Sequence, residues 1–231
     1  MILQVKNVCK EYKKNTPVLK NISFNLKKGE SIGLVGANGC GKTTLVEIIA
    51  GIIEPTAGNI KWSDQENSSK NIGLQFQKSN WPAGTKIKDI FNFLVGTNWV
   101  NDEYINQLID VFELRDLIKR KISYCSGGQQ QRFNCLLSMV KNPELLILDE
   151  LITGLDLKMQ IKIVNFINEW RKIKGATIIN VSHIPEEIEQ VCDRVILLKK
   201  GEVFLDDSIK NIKEKNGSLR KMLMDFYQNE K

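Results

Sequence analysis

Long apolar runs and paired cysteines are missing from this chain of 231 residues, and histidine is nearly so. No stretch approaches the roughly 20 consecutive apolar residues of a membrane-crossing helix. The start, Met1 to Lys10, has no basic region followed by an apolar block, so no secretory leader is expected and the chain reads as cytoplasmic. A single histidine, His183, excludes every site built on two imidazoles, HExxH metalloproteases among them. The five cysteines (Cys9, Cys40, Cys125, Cys135, Cys192) are scattered without a CxxC pair, and an odd number cannot all pair internally. Reduced thiols fit this pattern better than a disulfide framework or a zinc cluster. Repeats and low-complexity segments are absent too.

The composition that remains, 42% hydrophobic and 26% charged, is that of an ordinary globular protein, and the length suits one α/β domain with a full core. The net charge of +6 is compatible with an anionic partner, but the basic residues are dispersed and read as solvated surface. Strands are expected at Ile2 to Val8, Val18 to Leu26, Glu30 to Val35, Asn59 to Trp62 and Ile72 to Phe76. A helix follows the glycine-dense turn Gly36 to Gly41 and runs to about Ile52. Apolar stripes at i, i+3, i+4, i+7 (Ile87, Ile90, Phe91, Leu94, and again Ile105, Leu108, Ile109, Phe112) mark a helical middle.

Beyond it, the apolar run Leu145 to Leu148 suits a parallel strand covered on both faces. Ile163 to Trp170 reads as a helix, Ala176 to Val181, Asp193 to Leu198 and Glu202 to Leu205 as strands, and the tail around Leu219 to Phe226 as a helix. The polar stretch Ser63 to Asn71 reads as a surface loop. Strand-then-helix alternation implies an α/β fold with a parallel sheet.

The strongest local signal is Gly36-Ala37-Asn38-Gly39-Cys40-Gly41-Lys42-Thr43, which fits G-x-x-x-x-G-K-[ST] between a predicted strand and a predicted helix. The glycines let the backbone curl so that successive N–H groups face phosphate oxygens, and the helix start adds its positive dipole end. Lys42 would reach the β- and γ-phosphates, and the Thr43 hydroxyl would ligate Mg²⁺. A second acidic element follows the apolar strand: Asp149 at its end, placed to hold Mg²⁺, and Glu150, placed to accept a proton from an attacking water. The turn Ser126-Gly127-Gly128-Gln129, opening a polar helix start, is another anion-binding arrangement.

With all three elements in this order, the sequence resembles the nucleotide-binding domain of ATP-binding cassette (ABC) proteins, whose LSGGQ signature lies between the P-loop and the acidic strand. The likeness runs from Ile2 to about Leu205. It implies a P-loop NTPase (RecA-like) core with an antiparallel β subdomain and an inserted α-helical signature subdomain. The division implied is one domain over 1–231: an α/β core in 1–84 and 143–206, a helical subdomain in 85–142, and a C-terminal helix in 207–231. The resemblance also assigns ATP-binding positions, at Gly36, Asn38, Gly39, Cys40, Gly41, Lys42, Thr43 and Thr44, with the signature residues Ser126, Gly127, Gly128 and Gln129 completing the partner's site.

Other positions carry over singly. Tyr12 stands where the family stacks an aromatic ring on adenine. Gln77 looks like the glutamine that contacts Mg²⁺, with Gln75 a near competitor, and Thr153-Gly154-Leu155-Asp156 resembles the loop that crosses to the partner. His183 falls where a switch histidine touches the γ-phosphate. The catalytic set implied is Glu150, His183, Lys42 and Gln77; the metal set is Thr43, Gln77 and Asp149. Three positions depart from the family: Cys125 for the usual Leu, Cys40 within the P-loop, and Leu151-Ile152 for the usual Pro-Thr.

The cofactors implied are ATP and Mg²⁺. The partners implied are a second nucleotide-binding domain, as a homo- or heterodimer, and separate membrane permease subunits at the cytoplasmic face; no nucleic acid is expected. The compact helical middle resembles export-type ATPases more than importers. A soluble ABC ATPase of iron–sulfur cluster assembly would carry similar motifs.

Overall fold

The computed structural model describes residues 1–63, 71–75 and 81–228. The chain opens with an antiparallel hairpin, β1 (Leu3–Lys13) and β2 (Thr16–Leu26), followed by β3 (Ser31–Gly36), α1 (Lys42–Ile49) and β4 (Ala57–Trp62). After β5 (Ile72–Leu74) come α2 (Ile87–Val95), α3 (Glu103–Val111) and α4 (Gly127–Met139), joined by short 3-10 turns. The remaining elements are β6 (Leu145–Asp149), α5 (Leu157–Lys174), β7 (Thr177–Val181), α6 (Pro185–Val191), β8 (Arg194–Lys199), β9 (Glu202–Ser208), α7 (Ile209–Asn216) and α8 (Leu219–Gln228).

The strands form two sheets, an antiparallel one ordered β2-β1-β4 and a six-stranded one ordered β5-β6-β7-β3-β8-β9. The second is parallel except at the β8–β9 hairpin. Alternation explains why it lies between two layers. Ile32, Leu34, Ile147, Ile179, Val181 and Ile196 face one way, into a core shared with α1 and the antiparallel sheet. Their neighbours Leu146, Leu148, Ile178, Val195 and Leu197 face the other, into a core shared with α2 to α6. Strands covered on both faces become nearly continuous apolar runs, as the sequence of β6 shows.

Register then decides where chemistry can sit. Leu34 of β3 and Asp149 of β6 both pair with Val181 of β7, so three strands end along one edge. Ligands of open parallel sheets bind beyond the carboxyl ends of the strands. The P-loop, the Asp149-Glu150 pair and the Ser182-His183 turn all leave from that edge.

Several boundaries differ from the expected ones. β1 continues to Lys13, where Glu11 pairs with Pro17 and Lys13 with Thr16, and irregularities in register break the period-2 pattern that would reveal it. α1 stops at Ile49 because Gly51, at φ +71°, turns the chain out of the helix. The tail, expected as one helix, forms α7 and α8 on either side of Gly217, at φ +85°. α6 was not expected at all; it starts on Pro185 with Glu186 and Glu187 in its first turn. Most of Ser63 to Asn71 lies outside the described residues, as do Phe76 and Gln77. Among the described residues, no helix is long and apolar enough to cross a membrane.

Candidate nucleotide site

The turn from β3 into α1 has its shape because its glycines, Gly36 and Gly41 above all, accept backbone that other residues resist. Gly36 has φ +148°, and a Cβ there would overlap the Leu198 carbonyl; Gly41, at φ +107°, caps α1 without a side-chain hydrogen bond. The first-turn N–H groups of α1 are therefore left facing the cleft, with the helix dipole behind them. Lys42 is only 7% exposed, and its Nζ donates to the carbonyls of Gly36 at 2.8 Å and Ala37 at 3.1 Å. A buried ammonium held on two loop carbonyls is a fixed positive charge at the floor of the turn.

The cleft over this turn has a volume of about 440 Å³. Asn38, Gly39, Gly41, Lys42, Thr43 and Thr44 line one side; Asp149, Glu150 and His183 line the other, with Val18 and Val181 at its apolar edge. Residues far apart in sequence thus converge because their strands end together. Gly36 supports the turn from behind. Cys40 is buried in the core, and its N–H already donates to the Ala37 carbonyl at 3.2 Å. Tyr12 stands beside the site, 59% exposed, with its hydroxyl 3.4 Å from Thr44 Oγ1.

The electrostatics favour a cation. Burial, and then the charge of Glu150, push the Asp149 carboxyl up to about 6, against the opposing pull of Lys42. A hydroxyl (Thr43) and a carboxylate in one cleft are hard oxygen donors of the kind magnesium takes together with phosphate oxygens and water. His183 is pushed below the usual imidazole range by burial and by Lys42, with Glu150 opposing, and is neutral at pH 7.

The raised Asp149 pKa sets a stability trend. A carboxyl raised by folding contributes stability below its ordinary range and loses it as pH rises through about 6, so at pH 8 the charged form is a penalty. Asp149→Asn removes that penalty, roughly 1–2 kcal/mol after discounting partial exposure. In nucleotide-free, EDTA-treated protein at pH 8, calorimetry should show a melting point about 2–6 °C higher. The gain should vanish below about pH 4. A lower melting point at pH 8 would contradict this.

Two supports, buried Glu187 and half-buried Gln131, hold the turns at the cleft and were not legible in the sequence. Glu187 of α6 is 1% exposed; its carboxylate accepts from Asn180 Nδ2 at 2.8 Å, from Ser182 Oγ at 3.0 Å and from the Ile152 backbone. It holds the turn before His183 and the turn after Glu150 on one side chain. Glu150 itself has φ +55°, a conformation costing of order 1–3 kcal/mol for a residue with a Cβ. Its N–H donates to the Val181 carbonyl at 2.8 Å, and its carbonyl accepts from Gln131 Nε2 at 2.6 Å.

Among the described residues, Ser126, Gly127, Gly128, Gln129 and Asp156 are not brought into this cleft. Ser126 caps α4 in a reciprocal pair with Gln129: Ser126 Oγ accepts from the Gln129 N–H, and Gln129 Oε1 accepts from the Ser126 N–H. Ser126 and Gly127 are exposed, with Gly128 and Gln129 half-buried. Asp156 caps α5, accepting from the Met159 N–H at 3.0 Å. Gln77 lies outside the described residues. Its competitor Gln75 continues β5 and is fully buried, its side-chain amide lacking a hydrogen bond among the described residues. Of the departures from the family, Cys125, Leu151 and Ile152 are all buried in the helical-side core, where small and aliphatic side chains serve.

Comparison with known proteins agrees with this geometry. Residues 19–153 match the family model described as ABC transporter. The linearmycin resistance ATP-binding protein LnrL of Bacillus subtilis (strain 168) is 33% identical over 88% of this chain and 68% of its own length. The nickel import system ATP-binding protein NikE of Staphylococcus aureus (strain N315) is 30% identical over 91% of this chain and 92% of its own. Among solved structures, the dimeric ATP-binding cassette MJ0796 bound to ADP and Pi superposes with a TM-score of 0.79 at 27% identity, over 90% of this chain and 98% of that one. Relatives of similar identity are named for import and for resistance, so similarity at this level follows the ATPase engine and not the direction of transport. The chain belongs to the ABC transporter family, as one of its ATP-binding, ATP-hydrolysing cassettes.

Proposed function

We propose that this chain powers transport through separate membrane subunits, working as a head-to-tail pair of copies with an ATP between the P-loop of one and the Ser126–Gln129 turn of the other. The observation that carries this reading is the separation just described: the cleft gathers Lys42, Asp149, Glu150 and His183, while the second anion-binding turn stays outside it. An exposed helix start, with its reciprocal cap already formed, is suited to a phosphate brought by a second copy. MJ0796, described as a dimer, supports pairing of such cassettes.

In this reading Tyr12 stacks on adenine, the amides of Asn38 to Thr44 and the Lys42 ammonium hold the phosphates, and Thr43 and Asp149 hold Mg²⁺, with Gln77 joining them by family resemblance. The cation would neutralise charge on the β- and γ-phosphates. Glu150 accepts the proton of the attacking water, and neutral His183 donates a hydrogen bond to the γ-phosphate. Cys40 and Gly36 act through the main chain alone, and Asp156 shapes the turn that meets the partner. The helical segment 85–142 acts as a subdomain beside the 1–84 and 143–206 core, and 207–231 as a C-terminal appendage.

A permease would dock on the helical side, holding the chain at the cytoplasmic face of the membrane. Trp81 packs half-buried on Phe133 with ring centroids 6.3 Å apart, and Phe93 of α2 leaves its ring 86% exposed. Aromatic anchors of this kind are enriched in interfaces. Affinity capture from detergent-solubilised native membranes should recover a polytopic membrane protein, and Trp81→Ala should weaken that recovery about tenfold while nucleotide binding persists. Recovery of soluble iron–sulfur assembly proteins instead would contradict the transporter reading. The export expectation is settled by the permease so recovered.

A further inference from the structure

Glu150 and the signature turn belong to different parts of the fold, yet one side chain joins them. Gln131 lies one helical turn into α4, whose first residue is Gly127 and whose cap is Ser126. Its Nε2 donates to the Glu150 carbonyl at 2.6 Å. The same helix meets the same turn a second time: a Cβ on Gly128 would stand 3.1 Å from the Gly154 carbonyl. The other restraints on the Glu150 turn come from the core or from the turn itself. Val181 accepts the Glu150 N–H, Glu187 holds Ile152, and the Thr153 N–H donates to the Glu150 carbonyl at 3.3 Å. Gln160 of α5 also donates to the Ile152 carbonyl, at 3.4 Å, but among the described residues it is α4 that joins Glu150 itself to the signature turn, where a partner's nucleotide would arrive.

We propose that Gln131 is a positioning residue that carries the placement of the α4 N-terminus to the main chain of Glu150, so that hydrolysis in a chain's own cleft depends on its signature helix being seated on the partner's ATP. This rests on the head-to-tail pairing proposed above. The physical basis is the backbone of Glu150. At φ +55° it holds a conformation that a residue with a Cβ abandons unless its surroundings fix it. Loss of the Gln131 hydrogen bond leaves the carbonyl with only the longer bond from the Thr153 N–H, and rotation toward an ordinary φ turns the Cα–Cβ bond, and with it the carboxylate, away from the water it must deprotonate. A shift of 4 residues along a helix keeps side chains on one face, so displacement of Gly127 and displacement of Gln131 are one motion of a rigid rod.

The test uses Gln131→Met, which keeps the length of the side chain without its donor, and Gln131→Lys, which restores a donor. For Gln131→Met, kcat should fall at least tenfold, with the KM for ATP and the affinity for a fluorescent ATP analogue unchanged within twofold; Gln131→Lys should recover most of kcat. In single-turnover hydrolysis by Glu150→Gln protein, adding Gln131→Met should change the residual rate less than twofold, because a positioning residue has nothing left to position. A merely structural role would lower both backgrounds alike. Wild-type kcat in Gln131→Met, an equal loss in the Glu150→Gln background, or a rise in KM with kcat intact would each overturn the inference. Glu150→Gln protein that forms no dimer with MgATP would remove the pairing and this inference with it, whereas a dimer together with full Gln131→Met turnover overturns the tether alone.

Discussion

Glu150→Gln protein should bind MgATP, hydrolyse it about 10²–10⁴-fold more slowly than wild type, and accumulate as a nucleotide-bound dimer. The amide copies the shape of the carboxylate and cannot take a proton at neutral pH, so the loss falls on the chemical step. Binding is spared because Glu150 contributes nothing to the phosphate cradle, which belongs to Lys42 and the first turn of α1. There is a second consequence. The charge of Glu150 helps hold the Asp149 carboxyl up near 6, and its removal lets Asp149 ionise at lower pH. Phosphate release and analogue binding, measured on the same preparation, check the split. Retained turnover would remove Glu150 from the mechanism.

Lys42→Ala should weaken ATP binding roughly 10–100-fold, the equivalent of about 1.5–3 kcal/mol for a hydrogen bond to a charged group. The ammonium sits at the floor of the turn on the Gly36 and Ala37 carbonyls, and an alanine puts no charge there. An independent readout comes from the imidazole. Lys42 is the second cause, after burial, of the depressed His183 pKa, so removing it should move that pKa upward while burial keeps it below the usual range. His183 is the one histidine in the sequence, which makes its NMR titration free of overlap. Titration by NMR and isothermal calorimetry with ATP test the two halves separately. An unchanged histidine titration would mean that Lys42 lies further from His183 than the structure has it.

Much of this site was legible in the sequence because its parts are consecutive residues at strand ends. Gly36 to Thr43 reports a turn and a helix start in one string, and Leu145 to Glu150 reports a buried strand with two acids at its end. Convergence needed only parallel strands in register, which the apolar runs of β3, β6 and β7 supply. What could not be read depends on contacts between distant segments. Glu187 looks like an exposed acid in a first helical turn, and only the packing of α6 under β7 makes it the acceptor for Asn180 and Ser182. Gln131 is one of three successive glutamines, and nothing local singles out the one that reaches Glu150, 19 positions on. The extension of β1 is hidden by its register irregularities, and the break between α7 and α8 rests on Gly217 alone, at φ +85°.

The central claim is that ATP is held between one copy's P-loop and another copy's signature turn. Sedimentation of Glu150→Gln protein with MgATP, with ADP and with ATP in EDTA tests it most directly. The account predicts a two-chain particle with MgATP and single chains in the other two conditions. Single chains at saturating MgATP, with nucleotide demonstrably bound, would contradict it.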